Sequence, residues 1–140
     1  MANATRKHIQ RLIDTAKKYF SSIRILRELY DSESLLGLID LEGTWQTYRI
    51  IITEVHRTDG AIRYSYYVLD KNNQLVQDFD NHRDKYAIKL KYGEKWQAHQ
   101  DEEVPHQHNA QRQVTLTSFM TFDMFIAWLN SHFKRDGDDC

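Results

Sequence analysis

Cysteine is nearly absent: Cys140, the last of 140 residues, is the only one. No disulfide framework can form within the chain, and no C-x-x-C pair is available for a zinc ribbon. Proline occurs once, at Pro105. No apolar run approaches the length of a membrane span, and the opening MANATRKHIQ has no signal-peptide core. The expected compartment is the cytoplasm, with no membrane partner. An excess of one charge is also missing. Nineteen Lys/Arg against 20 Asp/Glu leave a net charge of −1, so no global field announces a polyanionic partner. There is no G-x-x-x-x-G-K-[ST], no G-x-G-x-x-G and no H-E-x-x-H. P-loop, dinucleotide-binding and zincin chemistry are set aside. No cofactor is expected.

What is present is enough for a folded core. Hydrophobic residues make up 41% and charged residues 28% of the chain, which fits one globular domain over 1–133. Residues 134–140 form a short acidic tail, expected to be flexible. Seventeen aromatics include eight tyrosines, suited to half-buried sheet positions. Charge is segregated locally. Residues 1–30 hold seven Lys/Arg against Asp14 and Glu28, and residues 83–95 hold five against Asp84 and Glu94.

Periodicity divides the chain into elements. Ile9, Leu12, Ile13, Ala16 and Phe20 recur at helical spacing and predict an amphipathic helix over 5–20. Alternating segments at 23–30 and 45–56 flank a short apolar run at 35–41 that fits a buried strand, all separated by polar turns, with Thr58-Asp59-Gly60 the sharpest. Residues 86–92 (YAIKLKY) read as a further strand. Glu94–Arg112 reads as a long polar loop with His99, His106 and His108, and Val114–Met120 as one more strand. Thr121 is placed as the cap of a final helix with Phe122, Phe125, Ile126, Leu129 and Phe133 on its stripe. The fold class is α+β: an antiparallel sheet of about five to seven strands, with an N-terminal and a C-terminal helix packed on it.

The centre of this plan is Ile62–Asp84, IRYSYYVLDKNNQLVQDFDNHRD. Ile62, Tyr64, Tyr66 and Val68 share one face of a strand, and Asp70-Lys71-Asn72-Asn73 makes a hairpin loop. The return strand then runs into Asp80-Asn81-His82-Arg83-Asp84, a concentration of acid, amide, imidazole and guanidinium that a hairpin exit does not need. Tyr66, Asp70, Leu75, Phe79, Asp80, Asn81 and His82, with His99 and Val104-Pro105 behind them, resemble the TumE-like toxins of bacterial toxin–antitoxin pairs. The second segment of that family is dense in histidine, whereas residues 94–99 here carry His99 alone. The resemblance implies a small toxin acting on RNA and a cognate antitoxin protein with a DNA-binding domain.

Metal-independent RNA cleavage needs a base for the 2′-hydroxyl, an acid for the leaving oxygen and a cation for the phosphorane. His82 and His99 suit the first two roles and Arg83 the third, with Asp80 orienting His82 and Tyr66 donating a hydrogen bond or stacking on a base. Arg63, Lys85, Lys89, Lys91 and Lys95 are the candidates for holding the RNA backbone. The competing reading is a non-catalytic RNA- or protein-binding module. A metal site built from His99, His106 and His108 ranks behind both, because no carboxylate stands at an obvious spacing to complete it.

Overall fold

The computed structural model describes residues 2–133; the acidic tail at 134–140, with Cys140, lies outside the described residues. Helix α1 (Ala2–Tyr19) leads into strands β1 (Ser21–Tyr30), β2 (Leu35–Trp45), β3 (Tyr48–Arg57), β4 (Ile62–Leu69) and β5 (Leu75–Asp80). Helix α2 (Lys85–Tyr92) and a 3-10 turn (Gly93–His99) follow. Strands β6 (His106–Asn109) and β7 (Val114–Leu116) and helix α3 (Phe122–His132) complete the described chain. All seven strands form one antiparallel sheet in sequence order. The α+β fold with a helix from each end of the sequence is therefore as expected. No described helix is long and apolar enough to cross a membrane.

Period-two alternation decides which side chains enter the core. Ile39 and Leu41 of β2, Ile50 and Ile52 of β3, Tyr64, Tyr66 and Val68 of β4 and Phe79 of β5 are buried on one face. The apolar stripe of α1 and Phe122, Phe125, Ile126 and Leu129 of α3 close over them. Thr121 caps α3, its Oγ1 accepting the Met124 N–H at 3.1 Å. The hairpin turns also fall where the polar residues predict them. Gly60 (φ 89°) and Asn73 (φ 60°) take the left-handed positions.

Two elements differ from the sequence reading. Residues 86–92 form a helix rather than a strand. Asp84 starts it, its Oδ1 accepting the N–H groups of Tyr86 (2.8 Å) and Ala87 (3.0 Å). Tyr86 and Leu90 are exposed. Ile88, Tyr92 and Trp96 recur every four residues instead and pack with Ala87 on Val104 and Val114. Lys89 and Lys91 consequently sit on a helix, not on an edge strand. The polar stretch 94–112 is not a loop throughout: it holds most of the 3-10 turn and all of β6.

Candidate functional site

The face of the sheet opposite α1 and α3 carries the chemistry. Phe79 points into the core, so Asp78 and Asp80 on either side of it point the other way. The β5–β6 register sets Asp80 opposite His106 and Asp78 opposite His108. The two histidines are two residues apart on one strand, so both rings share this face. The start of α2 then brings a third carboxylate. Asp84 spends Oδ1 on its capping bonds, and its Oδ2 lies 3.4 Å from His108 Nε2 and 3.8 Å from His106 Nε2.

Hydrogen bonds orient both rings. His106 Nδ1 is 2.6 Å from the Val104 carbonyl oxygen, which can only accept, so Nδ1 carries a proton. Its Nε2 faces Asp80 Oδ1 at 3.2 Å. His108 Nδ1 is 2.9 Å from Asp78 Oδ2. Asp78 is buried, and its other oxygen has no hydrogen-bond partner. Burial, with Asp80 alongside, pushes the Asp78 carboxyl well above the usual carboxylate range. Asp80, His106 and His108 each offer a ligand atom, and these atoms lie within 4.8 Å of one another.

This cluster opens into a cavity of about 480 Å3 whose wall includes Tyr67, His82 and Arg83. A second cavity, of about 530 Å3, is lined by Arg63, His82, Arg83, Lys85, Trp96 and Gln100 among others. His82, Arg83 and Asp84 line both, so the two cavities adjoin across these residues as neighbouring lobes. One lobe is acidic and imidazole-rich, and the other is cationic with an indole on its wall. Lys85 and Lys89 place their ammonium groups 5.2 and 4.8 Å from the Trp96 ring centre.

The residues singled out in the sequence distribute unevenly over this cleft. Asp80 is in the cluster, and its Oδ1 also accepts the His82 N–H at 2.9 Å. Asn81 has a structural part, bonding Ile62 O and Tyr64 N at 2.9 Å each, which ties the exit of β5 to β4. His82 stands between the lobes, and burial lowers its pKa against the opposing pull of Asp80. Arg83 lines both lobes and reaches Asp101 at 2.9 Å. Arg63 and Lys85 line the cationic lobe, whereas Lys89, Lys91 and Lys95 line neither. Lys91 bonds Glu102 at 3.0 Å. His99 also lines neither lobe: its ring stacks on Tyr92 at 3.5 Å and its Nδ1 is 3.2 Å from Glu102. Tyr66 is buried on the opposite face, its hydroxyl donating to Glu54 Oε2 at 2.8 Å.

His106 and His108 thus meet Asp80, not His99. The carboxylates that the linear spacing did not supply come from the neighbouring strand and from a helix cap. Their signal in the sequence is parity: Asp78-Phe79-Asp80 and His106-Gln107-His108 both repeat polar groups every second residue. No family model, no curated protein sequence and no solved structure matches this chain.

Proposed function

We propose that the cleft cleaves phosphodiester bonds in RNA, with a divalent transition metal held by Asp80, His106 and His108. One observation carries this reading: Asp80, His106 and His108 each bring a ligand atom to within 4.8 Å of the others, with the Asp84 carboxylate 3.4 Å from His108 Nε2. Ligand atoms gathered in this way are stabilised by a cation among them, and two imidazoles with a carboxylate suit a transition metal. Such an ion would polarise a phosphoryl oxygen. Asp78 and the Val104 carbonyl hold the two rings in place from behind. Arg63 and Arg83 are set to hold phosphate oxygens, and His82, kept neutral by its burial, is set to take a proton between the lobes. The resemblance to TumE-like toxins supports RNA as the substrate and an antitoxin as the protein partner. The mechanism differs from the metal-free pair of His82 and His99, because His99 is engaged by Tyr92 and Glu102 outside the cleft.

The test is cleavage of single-stranded RNA by chelator-stripped protein, before and after manganese or zinc is restored. The expected result is cleavage only after restoration, reduced by about 100-fold or more in a folded His108→Asn variant. Full cleavage in chelator would replace the metal with imidazole acid–base chemistry. No cleavage under either condition, with RNA still bound, would identify a binding module instead.

A further inference from the structure

On the helix-covered face, a second group of metal-ligating side chains takes no part in the cleft. Glu54 and His56 follow Ile50 and Ile52 in the inward parity of β3, so they enter the protein where the apolar pattern stops. Their side chains are 3% and 7% exposed. His8 comes down on them from α1, one residue before the buried Ile9, with its own side chain 46% exposed.

The arrangement is convergent. His8 Nε2 and His56 Nε2 each lie 2.9 Å from the same oxygen, Glu54 Oε1. The two rings meet edge to face with centres 4.7 Å apart. The other carboxylate oxygen is held from behind by the Tyr66 hydroxyl at 2.8 Å. All three ligand atoms fall within 4.8 Å of one another. Tetrahedral bonds of about 2.0 Å put neighbouring ligands roughly 3.3 Å apart, so an ion fits with small side-chain shifts. Two imidazoles and one carboxylate are a donor set that zinc accepts, and an outer hydrogen bond to the carboxylate, here from Tyr66, is a recurrent support in such sites. The half-exposed His8 gives the ion a way in and leaves a coordination position facing solvent.

We propose that His8, Glu54 and His56 form a second transition-metal site, of zinc type, that ties α1 to the sheet. It is independent of the cleft, since none of its ligands is shared and it lies on the other face. The metal acts as a cross-link between an N-terminal helix and β3, and it binds best where folding brings the three ligands together, so it stabilises the fold.

The experiment uses the full chain, stripped with chelator, dialysed against zinc chloride and assayed for bound metal, with cobalt(II) spectra in parallel. Wild type, His8→Gln, His108→Asn and the double variant are compared, each checked by circular dichroism. His8→Gln is expected to lose about one equivalent of zinc relative to wild type and one component of the cobalt spectrum. It is also expected to lose the part of the zinc-induced rise in Tm that His108→Asn retains. If the cleft holds no metal, wild type binds one equivalent and His8→Gln none, which still supports this site while removing the other. Equal zinc content and equal cobalt spectra in wild type and folded His8→Gln would overturn the proposal. So would a wild type whose zinc is lost entirely in His108→Asn, because Glu54 would then be satisfied by hydrogen bonds alone.

Discussion

Tyr64 and Tyr66 occupy the same sheet face two residues apart, and neither ring reaches solvent. Their hydroxyls are nonetheless used: Tyr64 accepts the Met120 N–H at 3.0 Å, and Tyr66 donates to Glu54. Burial raises the Tyr64 phenol to about 12, against the smaller opposing effect of the Met120 bond. An unfolded tyrosine ionises near 10. Below about 10 both states hold the proton, and the contribution of the buried phenol to stability is complete. Between about 10 and 12 the unfolded chain releases a proton that the folded chain keeps, so stability falls as pH rises through that window. Urea midpoints measured across this range are expected to decline in wild type and to decline less steeply in Tyr64→Phe. Equal slopes would show that the hydroxyl is solvated. At this scale Tyr66 illustrates how a single residue type misleads. Tyrosine in a strand is as suited to a binding surface as to a core, and only the parity of Ile62–Val68 against Phe79 decides between them.

Helix α1 lies against β2 at a distance set by glycine. A Cβ built on Gly37 would come within 2.8 Å of Ile9 Cδ1 and Thr5 Cγ2, both on α1. Gly37→Ala is therefore expected to lift the N-terminal half of α1 and to cost about 1–3 kcal/mol in chemical denaturation, as overpacking does. An unchanged midpoint would mean that α1 slides without loss. Because His8 lies on the same half of α1, the variant should also weaken the zinc-dependent part of the Tm. Helix α2 carries a different lesson. Its sequence alternates as a strand should, but a capping aspartate and apolar contacts at Ile88, Tyr92 and Trp96 outweigh that alternation. The same Asp84 both starts the helix and faces the imidazoles, so a local capping preference places a carboxylate in the cleft.

Across the molecule, acidic and basic groups separate although the net charge is −1. The strands follow one another in sequence order, so neighbouring pairs close short loops, and only β5 to β6 is bridged by a helix and a 3-10 turn. That excursion carries Arg83, Lys85 and Trp96 to the second lobe, facing Arg63 of β4. If this lobe holds an RNA backbone, binding weakens as salt rises, and Arg63→Ala reduces the logarithmic salt slope by about one. Lys91→Ala, which lies outside both lobes, leaves the slope unchanged. Equal slopes for wild type and Arg63→Ala would place the nucleic acid elsewhere.

Much of this architecture is legible in the sequence because it is local. Helical and strand periods, the turns at Thr58–Gly60 and Asp70–Asn73, and the Thr121 cap depend on residues a few positions apart. The α+β class follows from their order. The clustering of Asp80 with His82 and Arg83 is legible for the same reason. The pairing of Asp78 and Asp80 with His106 and His108 is not, because it depends on how β5 and β6 register after an excursion of some 25 residues. Nor does the sequence reveal that His8, Glu54 and His56 meet, since one comes from a helix and two from a strand more than 40 residues away. Periodicity assigns each side chain to a face of its own element; only the packing of elements decides which faces share a site.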